Sequence, residues 1–144
     1  MKKTFYRMLG VFCMLFAVAA VFTLTTPSAE AGSFETVDGA WCWNGDTNYP
    51  VVDMGSGFWS AADASSSFVE EESNGQRKIR FTKYFIERST GELVDTSTGS
   101  VWTEIGTNRF FFGSGGGKPS CLVPSECIAG CILLRDAAYA NSGI

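Results

Sequence analysis

The chain of 144 residues contains no histidine. That absence excludes the Ser-His-Asp and Cys-His catalytic arrangements, the H-E-x-x-H metalloprotease pair, imidazole metal sites and any histidine pH switch. An enzyme built on this chain would rely on carboxylates, Tyr, Lys or Arg. Positive charge is scarce as well, with 11 Lys and Arg against 15 Asp and Glu. Beyond Ala31 no specific catalytic or ligand motif stands out, and neither a cofactor nor a metal is expected.

What is present at the N-terminus reads as an address. Lys2, Lys3 and Arg7 are followed by an apolar run over residues 8–24, and Ala29-Glu30-Ala31 supplies a small-x-small site. A basic head, a hydrophobic middle and such a site make up a secretory signal peptide. A retained anchor is the competing reading, since 17 residues is the short limit for spanning a bilayer. The polar break at Thr25-Thr26-Pro27 and the Ala-x-Ala site favour cleavage. Lipid attachment at Cys13 is set aside, because Phe12 stands where a bacterial lipobox needs a small residue. The expected organisation is a cleavable signal over residues 1–31 and one small exported domain over residues 32–144, periplasmic, cell-surface or extracellular. An uncleaved signal segment would be the domain's only link to a membrane.

Removing Lys2, Lys3, Arg7 and Glu30 leaves 8 basic and 14 acidic side chains, a net charge of −6. Nucleic acid and anionic membrane surfaces are therefore poor partners. The cut also turns five cysteines into four, an even number that suits disulfides in an exported domain. Cys42, Cys121, Cys127 and Cys131 allow three pairings, and each of them ties Cys42 to the C-terminal segment. Closing a loop of about 80 residues removes roughly 4 kcal/mol of unfolded-state entropy in the chain model. Zinc is the weaker reading, because Cys121-x5-Cys127-x3-Cys131 lacks the paired spacing of zinc folds.

Residues 34–113 alternate short apolar or aromatic runs with turn residues, and no long window keeps a helical period. The fold class expected is mainly β: an antiparallel meander sheet or small barrel with a short C-terminal, helical, disulfide-linked segment. The clearest unit is a hairpin of residues 67–72 and 77–88 about Ser73-Asn74-Gly75-Gln76, since Asn-Gly supplies the positive φ angles of a tight turn. Ile79, Phe81 and Phe85 share one face of its second strand, interrupted by Lys83, while Arg80, Thr82 and Tyr84 share the other. One face is expected buried and the other wet.

An internal echo, Ser89-Thr90-Gly91 and then Ser97-Thr98-Gly99, reads as two turns that each feed a short strand. A further hairpin joins residues 101–105 to residues 109–113 through Gly106-Thr107-Asn108. Phe110-Phe111-Phe112 puts bulk on both faces of its strand, which is expected to be central or covered on both sides. Residues 114–120 read as a Gly-rich linker and residues 121–144 as a Cys-rich tail. In that tail Ser125 is the expected cap of a helix over residues 126–140, with Cys127, Cys131, Leu134 and Ala138 on one face and Asn141 or Gly143 closing it. Ile132-Leu133-Leu134 also suits a strand.

Several motifs reduce to ordinary structure. Residues 113–118 imitate a phosphate loop, but Phe112 and Pro119 occupy positions where that loop needs a glycine and a hydroxyl. Asn44, Asp46 and Asn48 alternate oxygen ligands, with Asp53 following, yet Tyr49 and Gly55 stand where a calcium loop needs glycine and glutamate. Neighbours in Glu70-Glu71-Glu72 point to opposite faces of a strand and so cannot flank one glycosidic bond.

The aromatics are the feature to follow. Trp41, Trp43, Trp59 and Trp102 form a possible binding surface, because a small sheet cannot easily bury all its rings. Trp41 and Trp43 are expected on the strand face opposite Cys42.

Size, export signal, four cysteines and a strand-rich middle resemble small periplasmic or surface domains, including lysozyme-inhibitor-like barrels and adhesin-like modules. The resemblance covers architecture alone and carries over no functional residue. The expected function is a non-enzymatic cell-envelope or extracellular binding module for a glycan or an envelope protein. One alternative is a protein inhibitor of an envelope-directed hydrolase, using residues 44–57 or 114–120 as a plug. Another is a glycan hydrolase using two of Asp53, Asp63, Glu87, Asp95 and Glu104.

Overall fold

The computed structural model describes residues 32–113 and 118–144. The expected signal peptide and residues 114–117 of the linker lie outside the described residues. The strands are β1 (Phe34–Val37), β2 (Ala40–Trp43), β3 (Val51–Met54), β4 (Phe58–Ser73), β5 (Gln76–Glu87), β6 (Glu92–Glu104), β7 (Phe110–Gly113) and β8 (Pro119–Leu122). A 3-10 turn, Ser125–Cys127, leads into the helix α1 (Ile128–Asn141). β1 and β2 form their own hairpin, and β3 to β8 form a six-stranded antiparallel sheet in chain order. The sheet curls into a half-barrel, so the mainly β antiparallel expectation holds.

Asn74 and Gly75 make the central hairpin, with φ of 54° and 75° and Ser73 opposite Gln76. Positive φ at both turn residues matches the twist of the flanking strands. On β5, Ile79 and Phe81 face the core, as the alternation implies. Its other face is not uniformly wet, because Ile86 is also buried.

The second half of the echo departs from expectation. Ser97-Thr98-Gly99 lies within the continuous strand β6, whereas Ser89-Thr90-Gly91 does turn. Gly99 is there for close approach: a Cβ on it would stand 2.8 Å from the Phe81 ring and 2.9 Å from Lys83 Cδ. β7 runs between β6 and β8, which agrees with a central place for the Phe110-Phe111-Phe112 strand. β8 begins at Pro119, so the described end of the expected linker is strand, and Cys121 belongs to the sheet.

The helix packs against β2, β3 and β4. Cys127, Cys131, Leu134 and Ala138 are all buried, on the one face that their spacing implies. Ser125 does not cap it. Pro124 and Cys127 hold the cap positions of the 3-10 turn and the helix, with no side-chain cap bond at either. Leu134, Cys131 and Ala138 join Val52, Ala62, Ile79, Phe81, Val101, Phe110 and Val123 in the core.

At its far end the helix is tied to an irregularity in β4, where pairing with β5 skips between Asp63 and Phe68. Asn141 Nδ2 donates to the carbonyls of Ala64 and Ser67 at 3.3 and 2.8 Å, and Val69 N–H donates to Ser142 Oγ at 2.8 Å. The bonds to Ala64 and Ser67 satisfy carbonyls in the stretch that the ladder skips.

The expected two-disulfide framework is absent from the structure: Cys42, Cys121, Cys127 and Cys131 are free thiols. The reason is placement. Two bridges would require exposed Cys121 on β8 to reach one of three thiols buried elsewhere, and a disulfide tolerates only a narrow range of Cβ separations.

Gly130 sets how closely the helix approaches the sheet, since a Cβ there would collide with the Val51 carbonyl of β3. Gly130→Ala is therefore expected to lower stability by about 1–3 kcal/mol, and Leu134→Ala by about 2–5 kcal/mol. Urea unfolding followed by circular dichroism reads both. A wild-type midpoint for Gly130→Ala would contradict this seating of the helix.

Candidate functional site

Strand alternation on β2 turns Ala40 and Cys42 inward and leaves Trp41 and Trp43 half-buried on the opposite face, as expected. Phe34 of β1 lies across from Trp43. The hairpin thereby presents three rings toward the end of the sheet where Trp59 lies opposite Ile86. Phe34 and Trp41 pack on Trp59 with ring centroids at 4.7 and 5.4 Å. The Arg88 guanidinium covers the same indole at 4.2 Å, close enough for a cation–π attraction.

Trp43 belongs to an adjoining triangle of rings, with Tyr49 at 5.7 Å and Tyr84 at 6.1 Å, and Tyr49 lies 5.9 Å from Tyr84. Its indole N–H donates to the Gly91 carbonyl at 3.1 Å, which fastens the β1–β2 hairpin to the turn after β5. Burial, and next the Asp63 carboxylate, raise the Tyr84 phenol above its ordinary pKa. Most pair geometries are tilted or edge-on, arrangements that aromatic quadrupoles favour. The six rings therefore form two adjoining triads, joined through the β1–β2 hairpin where Phe34 lies across from Trp43.

Trp102 leaves the candidate surface. It is 3% exposed, opposite Lys78 and Phe111 in the middle of the sheet. Of the four expected tryptophans, Trp41, Trp43 and Trp59 come together and Trp102 does not. Sequence reasoning missed Phe34, Tyr84 and Arg88 as their companions. Alternation did assign Tyr84 to the outer face of β5, but nothing local announced that the β1–β2 hairpin folds over that face.

The carboxylates are dispersed. Asp53 lies on β3 and Asp63 on β4, the latter accepting from Ser65 Oγ at 2.7 Å and from the Tyr84 hydroxyl at 3.5 Å. Asp95 and Glu104 sit nine residues apart along β6, about 30 Å for an extended strand. Glu87 and Asp95 fall on one sheet face, with Asp95 opposite Phe85 and Glu87 opposite Glu92. Glu87 accepts from the Ser89 and Thr90 hydroxyls.

Glu70 is the extra residue of a register shift between Val69 and Glu71. It pairs with Arg80 at 2.7 Å and Lys78 at 3.4 Å, and the Arg80 hydrogen bond holds its carboxyl below the usual range. Asp46 is a turn residue whose Oδ1 accepts from Asn48 N–H at 2.9 Å. Among the described residues no group of three His, Cys, Asp or Glu has metal-binding geometry.

Residues 44–57, offered as an inhibitory plug, sink into the protein midway, because Pro50, Val51 and Val52 are buried. Gly55, Ser56 and Gly57 form the exposed tip. The second plug segment, residues 114–120, falls largely outside the described residues.

The chain matches no known protein family, no curated protein and no solved structure. Its own chemistry is the basis for a functional reading.

The three buried thiols have a measurable signature. Burial first, then Asp53 and Glu126, push Cys127 from the ordinary 9.0 up to about 12. Cys42 and Cys131 are raised too, chiefly by burial. A raised folded-state pKa means that the native protein holds the proton more tightly than the unfolded chain. The stability that these thiols contribute to the reduced protein is thus constant below about pH 9 and is expected to be lost as pH climbs toward about 12. Urea midpoints across that window, with Cys127→Ala as the comparison, test this, and an equal fall in the variant would refute it.

Proposed function

We propose that this protein is an exported, non-enzymatic binding module whose ligand surface is the aromatic cap of Phe34, Trp41 and Trp59, rimmed by Arg88. The observation that carries the reading is the position of those rings. They are half-exposed and outside the core cluster, yet each is held by ring contacts, and Arg88 covers Trp59. Rings fixed in advance lose little entropy on binding, which is why rigid aromatics serve as anchors at recognition surfaces.

The ligand class proposed is an envelope glycan. The apolar face of a sugar ring would lie on the indoles, while exposed Arg88 donates to its hydroxyls or carboxylates. Titration with soluble peptidoglycan fragments, followed by tryptophan emission, is expected to saturate. Trp41→Ala and Arg88→Ala should each weaken binding by about tenfold or more, and Trp102→Phe should leave it unchanged. Emission unaffected by glycans would overturn the reading. Reducing sugar released in the same assay, and lost in Glu87→Gln, would replace it with the hydrolase alternative.

Export also bears on the cysteines. We propose that Cys42 and Cys127 join in the export compartment, since both are fully buried and β2 packs against the 3-10 turn that carries Cys127. A disulfide donor of that compartment would accept the two electrons, leaving Cys121 and Cys131 as thiols. Peptide mapping of the exported protein without reductant is expected to show Gly32 as first residue and one Cys42–Cys127 crosslink. Four alkylatable thiols would overturn the bridge, and an intact residue 1 would restore the membrane anchor.

A further inference from the structure

β6 presents a second surface, independent of the aromatic cap. It pairs with β5 from Glu92 to Glu104, whereas β7 takes up Val101, Trp102 and Thr103 alone. Among the described residues no strand pairs with the outer side of residues 94–99, since Gly113 of β7 already lies against Ser100, and residues 94–98 are exposed. Natural edge strands are usually blunted by Lys, Pro or a covering element. Residues 94–100 contain neither Lys nor Pro, and their single charge is Asp95. A register shift at Val94, between the Phe85–Asp95 and Ile86–Leu93 pairs, ends the regular stretch.

The direction of the free backbone groups follows from the ordered end of the strand. Glu104 N–H donates to Arg109 on the β7 side, and Ile105 N–H donates to Gly75 on the β5 side. Alternation then points the N–H and C=O of Thr96 and Thr98 toward the open side.

We infer that this edge pairs antiparallel with the same edge of a second copy of the chain, about a two-fold axis at Ser97. The contact is self-complementary, as a two-fold interface must be. Thr96 lies opposite the partner's Thr98 and exchanges both backbone hydrogen bonds with it, and threonine pairs across a ladder are favourable. Asp95 lies opposite the partner's Gly99.

That last pairing commits the occupant. Gly99 leaves the space above it to its own β5 neighbours, so the Lys83 stem crosses it, within 2.9 Å of where a Cβ would stand. Lys83 Nζ lies over the Phe85 ring at 4.9 Å and makes no ion pair among the described residues. Asp95 of each copy therefore arrives beside the partner's Lys83, twice per dimer. A register centred on Asp95 would instead oppose two carboxylates, which the ladder disfavours.

Sedimentation equilibrium of the purified protein over a wide concentration range tests the proposal, with circular dichroism confirming that each variant is folded. The wild type is expected to follow a monomer–dimer equilibrium. Thr98→Pro removes an outward N–H without touching the β5 ladder and should shift it to monomer. Asp95→Lys and Lys83→Asp should each raise the dimer dissociation constant by about tenfold or more, and the double reversal should restore it. A monomer up to about millimolar concentration, or a dimer indifferent to Thr98→Pro and to both reversals, would overturn the proposal. So would a monomer that takes up an unrelated extended peptide at this edge. Glycan binding should be unchanged in Thr98→Pro, so the aromatic reading stands or falls separately.

Discussion

The approach of the helix to β3 is the constraint on which the rest of the structure depends. Gly130 presents bare backbone to the Val51 carbonyl, and no other residue permits that approach without displacing one element or the other. From that contact the spacing of α1 carries Cys131, Leu134 and Ala138 onto the concave side of the sheet. Cys127, just before the helix, reaches the inner face of the β1–β2 hairpin, where Cys42 is buried. Helix, sheet and hairpin thus meet at one place.

The hairpin links that core to the surface. One side of β2 is buried with Cys42, while its other side supplies Trp41 and Trp43 to the aromatic cap. Ile86, opposite Trp59 at that end of the sheet, is fully buried. Toward the open side of β6 the same sheet carries a row of hydroxyl side chains, exposed from Thr96 to Thr98. One sheet therefore has an aromatic end and a thin, hydroxyl-rich margin. The two ends suit different partners: rigid rings suit a ligand face, and free backbone suits another strand.

What could be read from the sequence was local. Asn74-Gly75 announced its turn because only a few residue types accept positive φ twice in succession, and Cys127, Cys131, Leu134 and Ala138 announced a helix face by period. Trp41 and Trp43 were placed opposite Cys42 by alternation alone. The errors arose wherever the deciding neighbour was distant in sequence. Gly99 resembled a turn glycine, but it serves Phe81 and Lys83 on the next strand. Trp102 resembled Trp41 in composition, yet its place at mid-sheet is fixed by pairing with β5 and β7. Cysteine parity pointed to two bridges, and the exposure of Cys121 on β8 removed the fourth partner.

The order of the six-stranded sheet has a kinetic meaning. Each strand of it pairs with its sequence neighbours, so the sheet can assemble by successive short closures, which cost little chain entropy. Docking α1 is different, because Gly130 must find Val51 across most of the domain. The sheet behaves as a zipper and the helix as a lock. Between the two steps Ile79, Phe81 and Val101 face water, and in that interval the chain is most exposed to aggregation.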